Sequence, residues 1–229
     1  DPREQRIALV LGDLAALGHS PRVEQWCREK AGLVLVTGAS GSGKSTTLAS
    51  MTQTIARQRC ANIVSIEDPV EFVFPQGYSL IHQREVGTDT QSFVNALRSA
   101  LRQDANVIVV GELRDEETIR TAVTAADTGH LVIATLHTTD APSAVSRIMD
   151  AYPEERQRFI ASQLAASLLG VVCQYLLPKQ EGAGLVLASE LMVVNTGVAA
   201  CIRDRRFSQI PGLMQIGGAD GMGCRGCAM

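Results

Sequence analysis

The sequence predicts an α/β domain in which a mainly parallel β-sheet is flanked by helices. Four short apolar runs, rich in β-branched residues, alternate with segments whose apolar residues recur every three or four positions. Such runs are typical of strands buried on both faces, and their alternation with helices indicates a parallel sheet, which binds ligands at the carboxyl ends of its strands. The four predicted strands cover residues 33–36, 62–66, 107–110 and 131–136.

The segments between and after these strands predict helices. Asp115 and the two glutamates after it are expected to open one of them, and Gly129 to end it. Asp140 is expected to cap the next helix. The other predicted helices cover residues 44–57, 92–102, 154–169, 198–203 and 210–216. Two further strands, both expected at the edge of the sheet, cover residues 171–177 and 185–194.

Composition places the chain among globular proteins without a strong electrostatic preference. Its 229 residues are 45% hydrophobic, and the formal net charge is −3 at pH 7. So small a charge gives no bulk attraction to nucleic acid or to anionic lipid. No apolar run approaches the roughly 18 residues that a membrane helix needs. We therefore expect a cytoplasmic protein that binds no nucleic acid.

The six cysteines divide into four single residues and one close pair. The four single cysteines have apolar neighbours, which suits reduced thiols in an intracellular core. Cys224 and Cys227 have the spacing of half a zinc site, but no second Cys or His pair lies nearby in the sequence. A frayed, glycine-rich terminus is the alternative interpretation.

A glycine-rich loop follows the first predicted strand and predicts nucleoside triphosphate binding. Residues 38–45 read Gly-Ala-Ser-Gly-Ser-Gly-Lys-Ser and lead directly into a predicted helix. In a phosphate loop of this kind, backbone N–H groups surround the phosphate oxygens, the lysine contacts the β- and γ-phosphates, and the serine hydroxyl binds Mg²⁺. The alternative is a flexible Gly/Ser loop that matches the pattern by chance. The residues expected to bind the nucleotide are Ser40, Gly41, Ser42, Gly43, Lys44, Ser45 and Thr46.

Carboxylates and histidines follow the other strands and supply candidates for hydrolysis. Phosphoryl transfer to water needs a metal, an oriented water and neutralisation of charge. Glu112 follows the third strand, where its carboxylate would polarise the attacking water. His137 and His130 flank the fourth strand and would sense the γ-phosphate or link it to the rest of the domain. The expected catalytic residues are Glu112, Glu67 and His137, and the expected metal ligands are Ser45, Glu67 and Asp68.

Each of these candidates also has a plainer interpretation. Glu112 could simply pair with Arg114 at the surface. The acidic residues after the second strand could form a solvated turn around Pro69, and His130 could be a structural residue. One or two of the many arginines are expected to act as arginine fingers toward a neighbouring subunit's nucleotide, but the sequence does not indicate which.

Four segments resemble, in order, the motifs of the secretion-ATPase superfamily. Residues 36–48 resemble its Walker A segment, 66–72 its Asp box, 110–118 its Walker B segment with glutamate in place of aspartate, and 129–138 its His box. The resemblance covers the chain from about residue 6 to residue 222. It implies a RecA-like P-loop NTPase fold, ATP and Mg²⁺ as ligands, and hydrolysis coupled to mechanical work in a hexameric ring.

Within this superfamily, the sequence is most similar to the retraction ATPases of type IV pili. Residues 83–87, 96–102 and 163–168 carry that similarity. Pilus-assembly and type II secretion ATPases are also similar, but they usually carry a four-cysteine insertion after the His box, where this chain has only Cys173. The chain departs from the retraction pattern at residues 198–203, which lack the first arginine of the segment associated with retraction.

The resemblance also implies a domain organisation and partners. Residues 1–30 are interpreted as a linker from an N-terminal PAS-like domain, and residues 31–229 as the RecA-like ATPase domain. The ring would lie in the cytoplasm, peripheral at the inner membrane through a platform protein of a pilus or secretion system. The favoured function is pilus retraction and hence twitching motility. The alternatives are a pilus-assembly or type II/IV secretion ATPase, a nucleotide-gated scaffold without turnover, and a small-molecule kinase.

Overall fold

The structure, a computed structural model, describes residues 12–74, 77–179 and 184–223. Its strands are β1 (Gly32–Gly38), β2 (Asn62–Glu67), β3 (Leu80–Glu85), β4 (Val107–Val110), β5 (Leu131–Leu136), β6 (Leu168–Pro178) and β7 (Leu185–Val193). They form one sheet in the order β3-β2-β4-β5-β1-β6-β7. All neighbouring pairs are parallel except β6 and β7, which are antiparallel. The predicted mainly parallel α/β sheet is confirmed.

Helices flank this sheet, and two of them begin at the predicted caps. The Asp115 carboxylate accepts a hydrogen bond from Thr118 N at 2.8 Å, and that of Asp140 accepts one from Ser143 N at 2.7 Å. Each carboxylate satisfies an N–H group that the helix leaves free and lies at the positive end of the helix dipole. The helices are α1 (Pro21–Trp26), α2 (Lys44–Gln58), α3 (Phe93–Ala100), α4 (Glu116–Asp127), α5 (Ala141–Asp150), α6 (Glu154–Ser167), α7 (Thr196–Arg203) and α8 (Ile210–Ile216).

The three central strands fix the position of the residues that follow them. Every residue of β1, β4 and β5 is buried, which explains why these strands are continuous apolar runs in the sequence. Because β4, β5 and β1 are adjacent and parallel, their carboxyl ends lie side by side. Glu112, His137 and the glycine-rich loop therefore emerge at one edge of the domain.

One expectation for the sheet edges is wrong, and one edge strand was not predicted. β6 is an internal strand, because it pairs with β1 on one side and with β7 on the other. The opposite edge is formed by β3, which the sequence analysis did not predict. Four of the six residues of β3 are polar and the strand is only partly buried, so it lacks the apolar run that marks a central strand. Helix α6 also ends at Ser167, two residues earlier than expected, because β6 begins immediately after it.

The segment interpreted as a linker packs onto the same core. Leu14, Val23, Trp26 and Cys27 are buried and belong to the main apolar cluster. The Trp26 ring lies so close to β6 that a Cβ on Gly170 would be 2.2 Å from its Cζ2 atom. In the described part of the chain, the packing therefore does not divide at residue 30. The origin of this segment in a preceding domain stays a prediction.

Four cysteines fall within the described residues, and all four are free thiols. Cys27, Cys173 and Cys201 are buried and Cys60 is exposed. The pair Cys224 and Cys227 lies outside the described residues. In the ranges that the structure describes, none of the helices has the length and apolar character needed to cross a lipid bilayer.

Candidate nucleotide site

The glycine-rich loop connects the end of β1 to the start of α2 through a strained backbone. Gly38, Gly41 and Gly43 have φ angles of 140°, 75° and 88°, a region that residues with a side chain rarely adopt. Gly38 is also limited by space, because a Cβ there would lie 2.5 Å from Gln174 O and 2.6 Å from Ser42 Oγ. The glycines are therefore required for the tight turn that a phosphate-binding loop makes.

Lys44, the first residue of α2, is buried and folds back over this loop. Its Nζ donates hydrogen bonds to Gly38 O and Ala39 O, both at 2.8 Å. Burial lowers the pKa of Lys44, and the negative charge of Glu112 partly opposes this change. The ammonium is thus held at the mouth of the loop, where it can exchange its carbonyl partners for phosphate oxygens.

Glu112 lies at the carboxyl end of β4 and is linked to Lys44 through His137. The turn that carries it is fixed by a hydrogen bond from Gly111 N to Ile66 O at 2.7 Å. His137 Nε2 lies 3.1 Å from Glu112 Oε1, and His137 Nδ1 lies 3.4 Å from Lys44 Nζ. The other carboxylate oxygen, Oε2, accepts a 2.6 Å hydrogen bond from Arg114 Nε. The predicted surface pair with Arg114 is therefore present, but it occupies only one side of the carboxylate.

The acidic residues at the end of β2 lie at the same edge of the sheet, because β2 and β4 are adjacent and parallel. Glu67 Oε1 accepts hydrogen bonds from Ser65 Oγ at 2.7 Å and from Gln83 Nε2 at 3.1 Å. Burial raises the pKa of Glu67, although both hydrogen bonds favour the ionised form. Asp68 is more exposed and pairs with Arg114 Nη1 at 3.3 Å. Arg114 thus bridges the carboxylates that follow β2 and β4.

These groups line one open cleft of about 600 Å³ at the carboxyl edge of the sheet. This volume falls in the range of small-molecule and cofactor sites. Glu71 and the aromatic residues Phe74 and Phe93 line it as well. Of the residues predicted to bind nucleotide, metal or water, those that line the cleft are Ser40, Gly41, Gly43, Lys44, Ser45, Thr46, Glu67, Asp68, Glu112 and His137.

Two predicted residues do not present their side chains to the cleft. Ser42 is buried within the loop and does not line the cleft, and its N–H donates to Ala39 O at 3.2 Å. His130 precedes β5, at the opposite edge of the sheet from His137, and its Nδ1 contacts Ala125 O at 3.0 Å. The expectation that His130 senses a phosphate is wrong, because a residue before a strand cannot reach the carboxyl edge. Its structural interpretation fits the observed contact.

Sequence reasoning missed the two residues that hold Glu67. Ser65 lies two positions before it on β2, so strand alternation places both side chains on the same face. That spacing was visible in the sequence. Gln83 lies on β3, which was itself not predicted, and its neighbour relationship to β2 comes from the pairing Ser65↔Gln83.

The fold and this site together define a class and a family. The sheet is mainly parallel, and one of its central strands ends in a glycine-rich loop. A helix that begins with a lysine follows this loop, and a glutamate lies at the end of a nearby strand. This arrangement is a P-loop NTPase core of the RecA-like type. The sequence model of the family described as "Type II/IV secretion system protein" matches residues 5–209. The chain belongs to this family.

Individual relatives agree with that assignment. The chain is 50% identical over 83% of its length to the "Twitching motility protein" of Neisseria gonorrhoeae. It is 48% identical, over the same share, to the "Type IV pilus retractation ATPase PilT" of Pseudomonas aeruginosa. A solved structure of the pilus retraction motor PilT with bound ADP superposes with a TM-score of 0.87 at 47% identity, covering 90% of this chain and 60% of that one. The matched parts make up 51% and 55% of the two curated relatives, so this chain spans about half their length.

Proposed function

We propose that this chain is the ATP-hydrolysing domain of a hexameric motor that powers retraction of a type IV pilus. The observation that carries this proposal is the contact from Lys44 through His137 to Glu112. A terminal phosphate bound at Lys44 lies next to the carboxylate that polarises the attacking water. Binding and hydrolysis then take place at one edge of one sheet.

The cleft residues take separate roles in this reaction. Ser40, Gly41, Ser42, Gly43 and Thr46 supply the loop around the phosphates, with the backbone of Ser42 rather than its side chain contributing. Lys44 neutralises charge on the β- and γ-phosphates. Glu112 orients and polarises water, and His137 holds Glu112 at a fixed distance from Lys44.

The donors near the loop fit a magnesium ion that is shared with the nucleotide. Mg²⁺ takes oxygen ligands and is usually bound by one or two carboxylates together with substrate phosphates. Ser45, Glu67 and Asp68 line the cleft and offer a hydroxyl and two carboxylates. When bound, the ion would neutralise charge that develops on the phosphate oxygens. Because Glu67 already accepts two hydrogen bonds, it would act on water molecules around the ion as well as on the ion itself.

The relatives supply the support for retraction. They are named for twitching motility and pilus retraction, at 50% and 48% identity. We infer that six copies form the ring and that the ring works in the cytoplasm against an inner-membrane platform protein. The small net charge of −3 favours no nucleic-acid partner.

Release of phosphate from ATP, measured with Mg²⁺ and without an added acceptor, separates this function from its alternatives. A motor releases phosphate, whereas a kinase does so only when its acceptor is present. A scaffold binds ATP without releasing phosphate. If ATP binds but is not hydrolysed, either by this domain alone or by the assembled ring, the proposed hydrolysis is contradicted.

A deletion strain separates retraction from assembly. We expect cells without the gene to assemble surface pili that cannot retract, as seen by fluorescence labelling of live pili. Cells that lack pili altogether would assign the motor to assembly, and cells with normal pili but a secretion defect would assign it to secretion.

A further inference from the structure

A buried hydrogen-bonded cluster lies behind the phosphate loop, outside the cleft. His19 Nε2 lies 3.0 Å from Thr47 Oγ1, and Gln174 Nε2 donates to the same oxygen at 2.9 Å. The three residues are 7%, 1% and 1% exposed, and none of them lines the cleft. Three separate segments therefore converge on one hydroxyl, namely the chain before α1, the first turn of α2, and β6.

The hydrogen bonds in this cluster have a defined direction. The Gln174 amide donates to Thr47 Oγ1, which leaves the Thr47 hydroxyl proton free to bond to His19 Nε2. The His19 ring is then a neutral acceptor at Nε2. Burial also lowers the pKa of His19 to about 4, so the ring is neutral at physiological pH. Its Nδ1 atom has no hydrogen-bond partner among the described residues, so Thr47 is the polar contact that fixes the ring.

The cluster holds both ends of the phosphate loop. Thr47 lies three residues after Lys44, and its N–H donates to Gly43 O at 3.0 Å. Gln174 pairs with Gly38 in the sheet register, and its carbonyl lies against Gly38. One end of the loop is thus packed against the backbone of Gln174 and the other is bonded to its side chain. His19 completes the cluster from outside the sheet.

A second contact joins the same two segments farther along α2. Ser50 Oγ donates to Gly12 O at 2.9 Å, so residues 12–20 follow the surface of α2. Ser50 lies almost one helical turn beyond Thr47 and is not among the cleft residues. Ser50→Ala is therefore a matched control, because this substitution removes a similar hydrogen bond between the same two segments and leaves the phosphate loop unchanged.

We propose that His19 is a positioning residue for the phosphate loop: through Thr47 it fixes the first turn of α2 and so sets where Lys44 meets the phosphates. The proposal rests on the nucleotide-binding function proposed above. It makes residues 12–20 a determinant of nucleotide affinity, although none of these nine residues lines the cleft. Movement of that segment would be transmitted to the loop through one side chain.

The test compares His19→Leu with His19→Gln and with Ser50→Ala. His19→Leu leaves the buried Thr47 hydroxyl without its acceptor. We therefore expect the Kd for a fluorescent ADP analogue and the KM for ATP to rise about 5- to 20-fold. The kcat should stay within about twofold of wild type. His19→Gln keeps a polar atom at the Nε2 position and should restore most of the affinity. Ser50→Ala should leave both constants unchanged. A purely structural role for His19 would lower the melting temperature without this split between KM and kcat.

A double-variant cycle tests the contact itself and remains informative if His19→Leu does not fold. Thr47→Val should raise Kd in the same way and Thr47→Ser should not, and these two variants do not depend on the folding of His19→Leu. Where His19→Leu folds, the double variant His19→Leu/Thr47→Val should bind ADP no more weakly than Thr47→Val, because both changes remove the same hydrogen bond. Equal Kd values for wild type and Thr47→Val, or effects that multiply in the double variant, overturn the proposal. Wild-type protein that binds no ADP would instead overturn the nucleotide-binding function, and this inference with it.

Discussion

The His137 ring stands between Glu112 and Lys44, with Nε2 3.1 Å from Glu112 Oε1 and Nδ1 3.4 Å from Lys44 Nζ. This geometry fits a neutral imidazole that donates from Nε2 to the carboxylate and accepts at Nδ1 from the ammonium. The three residues follow or adjoin adjacent strands, since β5 lies between β4 and β1. A shift of the Lys44 ammonium would therefore move the Glu112 carboxylate through the rigid His137 ring.

Replacing Lys44 by alanine should abolish triphosphate binding. The ammonium is the cation nearest the loop carbonyls, and charge-assisted hydrogen bonds to phosphate are strong. We expect the Kd for ATP to rise by about 100-fold or more, measured by fluorescence anisotropy of a labelled analogue. Lys179→Ala, which changes an exposed residue directly after β6 that does not line the cleft, is the control. Normal affinity in Lys44→Ala contradicts the assignment of the loop.

Replacing Glu112 by glutamine should separate binding from turnover. The amide keeps the shape of the side chain but cannot polarise water, so turnover should fall by roughly 10²–10⁴ while ATP still binds. Phosphate release and nucleotide affinity are measured on the same preparation. Glu117→Gln, which affects an exposed carboxylate paired with Arg98, should change neither. Unchanged turnover in Glu112→Gln would move the role to Glu67 or Asp68.

The two histidines of the His-box segment should differ in their effect. His137→Ala removes the ring that joins Glu112 to Lys44, and we expect kcat to fall by about 10-fold or more. His130→Ala removes a ring that contacts Ala125 O on the opposite edge of the sheet, so kcat should stay within about twofold. Steady-state phosphate release measures both. An equal loss of kcat in the two variants would contradict a role in turnover for the contacts of His137 with Glu112 and Lys44.

Stability should fall as the pH drops below neutrality, in part because of His19. Its pKa is about 4 in the folded protein, against an ordinary value of 6.5. As the pH falls, His19 is protonated in the unfolded chain before it is protonated in the folded protein. The contribution of His19 to the free energy of unfolding is therefore fully present above about pH 6.5 and is lost as the pH falls toward 4. Complete loss is worth about 3 kcal/mol.

Urea unfolding of wild type and His19→Gln at a series of pH values measures this contribution. Because glutamine does not titrate, the difference in unfolding free energy between the two proteins should shrink as the pH falls from 6.5 to 4. A difference that is independent of pH over that range would rule out a buried neutral imidazole.

Gly170 should tolerate no side chain. A Cβ at this position would lie 2.2 Å from Trp26 Cζ2 and 2.5 Å from Met192 O. Gly170→Ala should therefore lower the unfolding free energy by about 2–4 kcal/mol, because a ring and a backbone strand must both shift. Gly212→Ala, in helix α8 with open space around it, should instead stabilise the protein by about 0.5–1 kcal/mol. Chemical denaturation measures both, and an equal effect would refute the packing argument.

The parts of the fold that could be predicted are those with a local signal. β1, β4 and β5 are continuous apolar runs because both faces of a central strand are buried, and α4 and α5 begin at recognisable caps. β3 could not be found in this way, since an edge strand with one open side accepts polar residues. The position of β6 beside β1 could not be predicted either, because the amino-acid composition of a strand does not indicate which other strand it pairs with.

The same distinction applies to the candidate site. The glycine loop and Glu112 follow from residue types at fixed spacing, so they were predicted. The hydrogen bond from Gln83 to Glu67 and the bridge by Arg114 depend on strand order. The role given to His130 was wrong although its position directly before the predicted strand 131–136 already placed it at the amino edge of the sheet. His19 carried no local signal at all, since its importance comes from contact with residues 28 positions away.

By itself, the sequence determined the kind of sheet, the glycine-rich loop proposed to bind phosphate and the residues proposed to act on it, because backbone strain, burial and short-range spacing are local properties. Only the tertiary structure decided that His137 connects Lys44 to Glu112 and that His19 supports the loop from behind. Those contacts arise from the lateral order of strands and from the packing of residues 12–20 on α2, which distant parts of the chain settle together.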